Sequence, residues 1–216
     1  MPAGSPPAFS LRSGGVSRNG EALLGKLLAD LLQQRTLRTR LPVWTALVYL
    51  GRGDWSRAQE LVDDAWAAAV GADAGRLDLH AAVPAHIGRA ALHLALGDFA
   101  RAIEVGEQGL ELADRSGYVV WVLHRLLPIL AEAHIRADNL DRARELGDRL
   151  RFEGHRIGHR LGLAWAEACE AILAYHGGDA ETGARLLRSA AEGLEAVPMV
   201  PEAARLRRQL AGRLAD

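Results

Sequence analysis

The 216 residues carry 26 basic and 27 acidic side chains, a balance that leaves no electrostatic footprint for a nucleic-acid partner. Ala (39) and Leu (35) supply about a third of the chain while Val, Ile and Thr total 22, which excludes an all-β fold. The lone Cys169 rules out an internal disulfide, and no run of 18 apolar residues exists to span a bilayer. A cytoplasmic, all-α protein without membrane contact is expected.

Residues 1–20 hold eleven Pro, Gly or Ser and lack the charged and apolar regions of a signal peptide, so they read as a disordered leader. The rest, 21–216, reads as one helical domain. From Glu21 to about Leu37, apolar residues recur at helical spacing (Leu23, Leu24, Leu27, Leu28, Leu31, Leu32), with Asn19 as a cap. Pro42 then marks a new helix start.

A repeat follows. A residue that tolerates left-handed backbone precedes an N-cap, and a small residue stands five positions after it: Gly53-Asp54-Trp55 with Ala58, Gly97-Asp98-Phe99 with Ala102, Asp138-Asn139-Leu140 with Ala143, and Gly178-Asp179-Ala180 with Gly183. The copies are 44, 41 and 40 residues apart, and seven residues before each turn sits a second small side chain, Ala46, Ala90, Ala131 or Ala171. Small residues on facing turns let two antiparallel helices approach closely. The spacing predicts helix pairs at about 42–51 with 54–70, 78–96 with 98–115, 118–136 with 139–155 and 159–176 with 179–196. A closing helix, Pro201 to Leu214, would turn Ala204, Leu206, Leu210 and Leu214 inward and Arg205, Arg207, Arg208 and Arg213 outward.

The small residue, the Tyr or His three later (Tyr49, His93, His134), the Gly-Asp-aromatic turn and the Ala beyond it resemble the tetratricopeptide repeat. That repeat has a period of about 34 residues. The longer period here is similar to the helical arms of large bacterial ATP-binding transcriptional regulators of the LuxR and MalT type, and of related multidomain nucleotide cyclases. The similarity runs through Leu126-Leu127-Pro128, Leu130-Ala131-Glu132-Ala133, Leu140-Asp141-Arg142-Ala143, His159-Arg160-Leu161-Gly162 and Val200-Pro201-Glu202, over roughly residues 40–216. The resemblance implies an α-solenoid of four tetratricopeptide-like hairpins with a helix at each end, and a sensing or partner-binding role. Neither an ATPase module nor a helix-turn-helix is recognisable beside it.

Motifs that carry chemistry are sparse. Gly20 to Lys26 satisfies G-x-x-x-x-G-K, but Leu27 replaces the hydroxyl residue that holds magnesium and no strand precedes Gly20. Leu61-Val62-Asp63-Asp64 lies mid-helix and reads as a solvated face. His155 and His159 are four apart, the spacing of two ligands on one helical face, yet Gly154 and Gly158 interrupt it and no H-E-x-x-H occurs. Cys169 falls with Trp165, Ile172 and Leu173 and reads as a small buried hydrophobe, although His176 shares its spacing. The basic run Arg142, Arg144, Arg149, Arg151, Arg156 and Arg160 is interleaved with acids, with Glu145 and Arg149 at helix-pairing distance. Trp55 occupies the aromatic turn position, where core packing is expected, while Trp121 and Trp165 start first helices and could face an inner groove.

The leading expectation is therefore a non-enzymatic interaction or sensor module with no cofactor and no metal. Its groove residues would be Arg125, Glu132, Arg136, Trp165, Tyr175 and His176, and its partner a protein, a peptide or a small-molecule inducer. The exposed face of a terminal helix offers a homodimer contact. Two other readings stand behind it: a truncated or split regulator of the resembled type, and a nucleotide-binding protein built on Gly20–Lys26.

Overall fold

The computed structural model describes residues 26–27, 35–70, 78–119, 122–197 and 199–215. Among these the regular structure is helical, with no strand: α1 Arg35–Leu50, α2 Trp55–Val70, α3 Leu79–Ala95, α4 Phe99–Ser116, a π-helical turn Val122–Leu126 leading into α5 Leu127–Arg136, α6 Leu140–Ile157, α7 Arg160–His176, α8 Ala180–Glu195 and α9 Val200–Ala215. No helix among the described residues is long and apolar enough to cross a membrane. The leader, Trp121 and most of the expected helix at 21–37 lie outside the described residues.

Helices α1 and α2, α3 and α4, α5 and α6, and α7 and α8 are joined by one and the same turn. In each, a residue two or three positions past the helix end takes a left-handed conformation: φ is +77° at Gly53, +79° at Gly97, +61° at Asp138 and +83° at Gly178. The following N–H then reaches back five residues, Asp54 to the Tyr49 carbonyl, Asp98 to His93, Asn139 to His134 and Asp179 to Ala174, at 2.8 to 3.0 Å. This is the paired-bond stop that leaves few carbonyls orphaned at a helix end. Asp54, Asp98 and Asp179 then cap the next helix, accepting from the N–H of Arg57, Arg101 and Thr182 at 3.0 to 3.2 Å. Asn139 makes no such bond. The third turn therefore lacks both the glycine and the cap that the others have.

The small residues expected at the hairpin contacts are buried without exception: Ala46, Ala58, Ala90, Ala102, Ala143 and Ala171 are fully inaccessible and Ala131 nearly so. In the fourth hairpin the ring comes from Tyr175, and a Cβ on Gly183 would stand 2.8 Å from it, so the small residue must shrink from Ala to Gly there. Helix α4 meets α5 just as closely, since a Cβ on Gly106 would lie 2.6 Å from Leu130 Cδ2. Each hairpin packs on the next: α1 touches α3, α3 touches α5, α5 touches α7, and α9 closes on α8. A continuous apolar core runs from Val83 to Leu206, with Leu126, Leu127 and Leu130 fully buried. Each such leucine contributes about 1.5–3 kcal/mol. Smaller clusters join α1 and α2 to Leu92 and set Trp66 against Ala69, Ala81 and Ala85.

Four local expectations need correction. Helix α1 does not start at Pro42 but runs through it from Arg35. The proline forfeits one backbone bond, a substantial cost in a helix interior, and the full burial of Thr39, Val43 and Ala46 offsets it. The segment expected as helix from 118 onward is α-helical only from Leu127, because Pro128 has no N–H to offer the His124 carbonyl and its ring crowds that oxygen, widening the turn to π. Trp55, at the head of α2, is 42% exposed rather than packed in the core. Arg149 pairs with Asp114 of α4 instead of Glu145, which binds Arg142.

Candidate functional site

A cavity of about 710 Å3 opens on the side of the molecule formed by the first helix of each hairpin. Leu47 and Leu50 of α1 and Ala91 and Leu94 of α3 supply an apolar wall, continued by Pro128 and Ile129 at the start of α5. The polar side is carried by His124 and Arg125 of the π turn, Glu132 and Arg136 of α5, and Glu202, Arg205 and Arg208 of α9, with Trp165 of α7 between them. The helical spacing of Arg125, Pro128, Ile129, Glu132 and Arg136 puts all five on one face, and the π turn, by adding a residue to its loop, swings His124 and Arg125 onto it.

Two reciprocal ion pairs tie α9 across to this face. Arg125 Nη1 donates to Glu202 Oε1 at 3.2 Å, and Arg205 Nη1 donates to Glu132 Oε2 at 2.8 Å. The Arg125 guanidinium also lies 5.7 Å above the Trp44 ring of α1, and that of Arg205 lies 5.6 Å above Trp165. Arg125 thus links α1 and α9, two helices whose residues line this cup. Arg136 reaches Glu132 only at 3.7 Å, and Arg208 is exposed with no ion pair among the described residues. Arg125 Nε and the indole N–H of Trp165 are buried donors with no acceptor among the described residues.

Of the six expected groove residues, Arg125, Glu132, Arg136 and Trp165 line this cup. Tyr175 and His176 do not. Tyr175 turns its ring onto Gly183 inside the fourth hairpin, and His176 is exposed at the end of α7. Sequence reasoning missed Trp44, Glu202 and Arg205, and turned Arg205 outward, whereas it bridges Glu132 from inside the cup. The available signal was the stripe Pro201, Glu202, Arg205, Arg208 at three- and four-residue spacing, a second face of α9 whose order of charges complements Arg125 and Glu132.

The other candidate chemistry resolves into packing and ion pairing. Cys169 is buried, its thiol donates to the Ala143 carbonyl at 3.4 Å, and burial pushes its pKa up to about 12. A thiol so far from thiolate is a poor nucleophile at neutral pH. His159 is the N-cap of α7, its Nδ1 accepting from the Gly162 N–H at 2.9 Å, and burial holds its pKa below the ordinary value. It stands beyond the end of α6, where His155 is exposed, so the two imidazoles do not share a helix. Asp63 and Asp64 are exposed on α2 and meet Arg89 and Lys26, the latter at 3.5 Å. Gly20 to Gly25 lie outside the described residues.

The basic run faces away from the cup. Arg142 binds Glu107 of α4 through Nε and Nη2 at 3.0 Å each, and the buried His134 adds Nε2 at 3.3 Å. Burial alone would raise the Glu107 carboxyl, but Arg142 and His134 outweigh it and hold the group below its ordinary range. Arg144, Arg149, Arg151 and Arg156 are likewise each paired with a carboxylate. Of these cations Arg142 and Arg149 tie α6 to α4 and Arg151 ties it to α7, while Arg144 and Arg156 pair within α6. Comparisons with protein-family models, with curated proteins and with solved structures give no significant match to this chain.

Proposed function

We propose that this chain is a non-enzymatic sensor or interaction module, an α-solenoid of tetratricopeptide-like hairpins with a period of about 40 residues, whose inner wall takes a protein, peptide or small-molecule partner. One observation carries the reading: α1, α3, α5 and α7, the first helices of the four hairpins, all contribute to a single cavity. Stacked hairpins that present equivalent helices along one side make this kind of continuous binding surface. The four turns with matching bonds support the repeat, and the resemblance to the arms of LuxR- and MalT-type regulators supports a role in bacterial signalling or transcriptional regulation.

The cup is built for holding. It combines an apolar wall, a buried indole and arginines already oriented by ring stacking, the residue types that anchor recognition surfaces. To test this, the full chain is immobilised, lysate is passed over it with and without ATP, and the captured material is compared with that retained by the Arg125→Glu, Arg136→Glu double variant. Capture should fall about tenfold or more in a variant whose far-ultraviolet circular dichroism is unchanged. Equal capture by a folded double variant would remove the cup from the binding role.

A further inference from the structure

We propose that the ligand of the cup is a small amphipathic organic anion: an aryl or acyl body that ends in a carboxylate, sulfonate or phosphate group. This rests on reading the cup as a binding site and names the class of molecule it takes.

Three observations carry it. First, charge: Arg125, Arg136, Arg205 and Arg208 face Glu132 and Glu202, leaving two positive charges in surplus. The two short cross-cup pairs consume Arg125 and Arg205, so the surplus sits on Arg136, whose carboxylate contact is long and shared, and on Arg208. A guanidinium that is not already neutralised is the group that recognises planar or tetrahedral anions. Second, polarity: the buried side-chain polar atoms of the cup wall that lack a partner among the described residues, Arg125 Nε and Trp165 Nε1, are both donors. Such a wall asks for acceptors. Third, shape: the wall opposite the arginines is apolar, and the volume of about 710 Å3 lies in the range of sites that enclose medium-sized organic molecules.

A single medium-sized pocket crossed by one side chain suits a compact ligand. Arg125 stacks on Trp44 of α1 and is bonded to Glu202 of α9, so one guanidinium links the two helices beside the cup. The body then rests on Leu47, Leu50 and Leu94 and the anion lies between Arg136 and Arg208.

The probe pair is anilinonaphthalene sulfonate and phenylnaphthylamine, which share one ring system and differ by the sulfonate. Titrated into the full-length native chain and followed by fluorescence and calorimetry, the sulfonate should bind one site per chain and the uncharged probe at least about tenfold more weakly. Arg136→Gln combined with Arg208→Gln, both at exposed positions, should weaken the sulfonate about tenfold and leave the uncharged probe unchanged. Inorganic phosphate, an anion without a body, should compete poorly.

Equal binding of the two probes, or sulfonate binding indifferent to both arginines, would overturn the anionic class while leaving the cup a binding site. Loss of the signal on Phe152→Ser would show that the exposed ring on α6 takes the probe, and the proposal falls. If neither probe binds while partner capture still depends on Arg125 and Arg136, this inference fails alone; if capture fails too, the reading beneath it fails with it.

Discussion

Replacing two glycines by alanine tests the packing that sets the cup, because the two should fail for opposite reasons. At Gly106 the backbone is ordinary helix, so alanine brings about 1 kcal/mol of helix propensity. The added Cβ, however, would lie 2.6 Å from Leu130 Cδ2 and 2.9 Å from Cγ, and Leu130 is fully buried. Overpacking of this kind costs about 1–3 kcal/mol. With both atoms inside contact distance the upper half of that range applies, and the net loss is about 1–2 kcal/mol, or about 2–8 °C in Tm for a chain of this size. At Gly97 nothing lies within 4 Å of the Cβ, but φ is +79°. The left-handed strain costs about 1–2 kcal/mol, offset by about 0.4–1 kcal/mol of lost freedom in the unfolded chain. Urea unfolding with matched m values measures both. Gly106→Ala should be relieved by Leu130→Val, giving a double variant about 1 kcal/mol better than additive, whereas at Gly97 asparagine, which tolerates left-handed backbone, should cost less than alanine. If Gly106→Ala instead stabilises by the full propensity gain, α4 does not press on α5, and the placement of Arg125 and Glu132 loses its support.

Other outcomes follow from the same structure. A double-mutant cycle on Glu132→Ala and Arg205→Ala should show a coupling of about 0.5–1 kcal/mol, modest because Arg205 is 40% exposed, and shrinking in molar salt; strict additivity would mean that α9 is not held there. His86, His93 and His159 all have pKa values lowered first by burial. Their stabilising contribution is complete above the unfolded histidine pKa of about 6.5 and is lost as pH falls through the depressed folded values. Chemical denaturation at pH 7 and pH 5 should therefore show lower stability at pH 5, and the drop from pH 7 to 6 should shrink in His86→Gln. Cys169 should resist aromatic disulfide reagents at pH 8 until the chain unfolds, so a fast native reaction would contradict its burial. Asp138→Gly with Asn139→Asp should stabilise the third hairpin by about 0.5–1.5 kcal/mol, read from the thermal midpoint.

The hairpins were legible because their signals are local. A left-handed residue, a cap and two alanines sit within a dozen positions of one another, and each has a physical role that does not depend on distant chain. The extent of α1 was not legible, since its continuation through Pro42 rests on Thr39, Val43 and Ala46 being buried by other helices. The same holds for the cup. Arg125, Glu132 and Arg136 were readable as one helical face, but their partners Trp44, Glu202 and Arg205 come from far along the sequence, where local spacing marks a face of α9 yet not what it meets. Tyr175 lies away from the cup for a related reason: its neighbour Gly183 offers the ring a resting place inside the hairpin, and pairwise shape of that sort is invisible in residue spacing.

The distances along the chain spanned by Arg125 have a kinetic meaning. Its ring partner Trp44 and its carboxylate partner Glu202 lie on opposite sides of it in sequence, the latter 77 residues away. The hairpins close over short loops, which places them early in folding, while the cup requires contacts of high contact order and assembles late. Until it does, the leucines of α1 and α3 that form its wall lack α9 facing them. A chain with its hairpins closed and these contacts still unmade would present that apolar wall without α9 across from it, a surface prone to association.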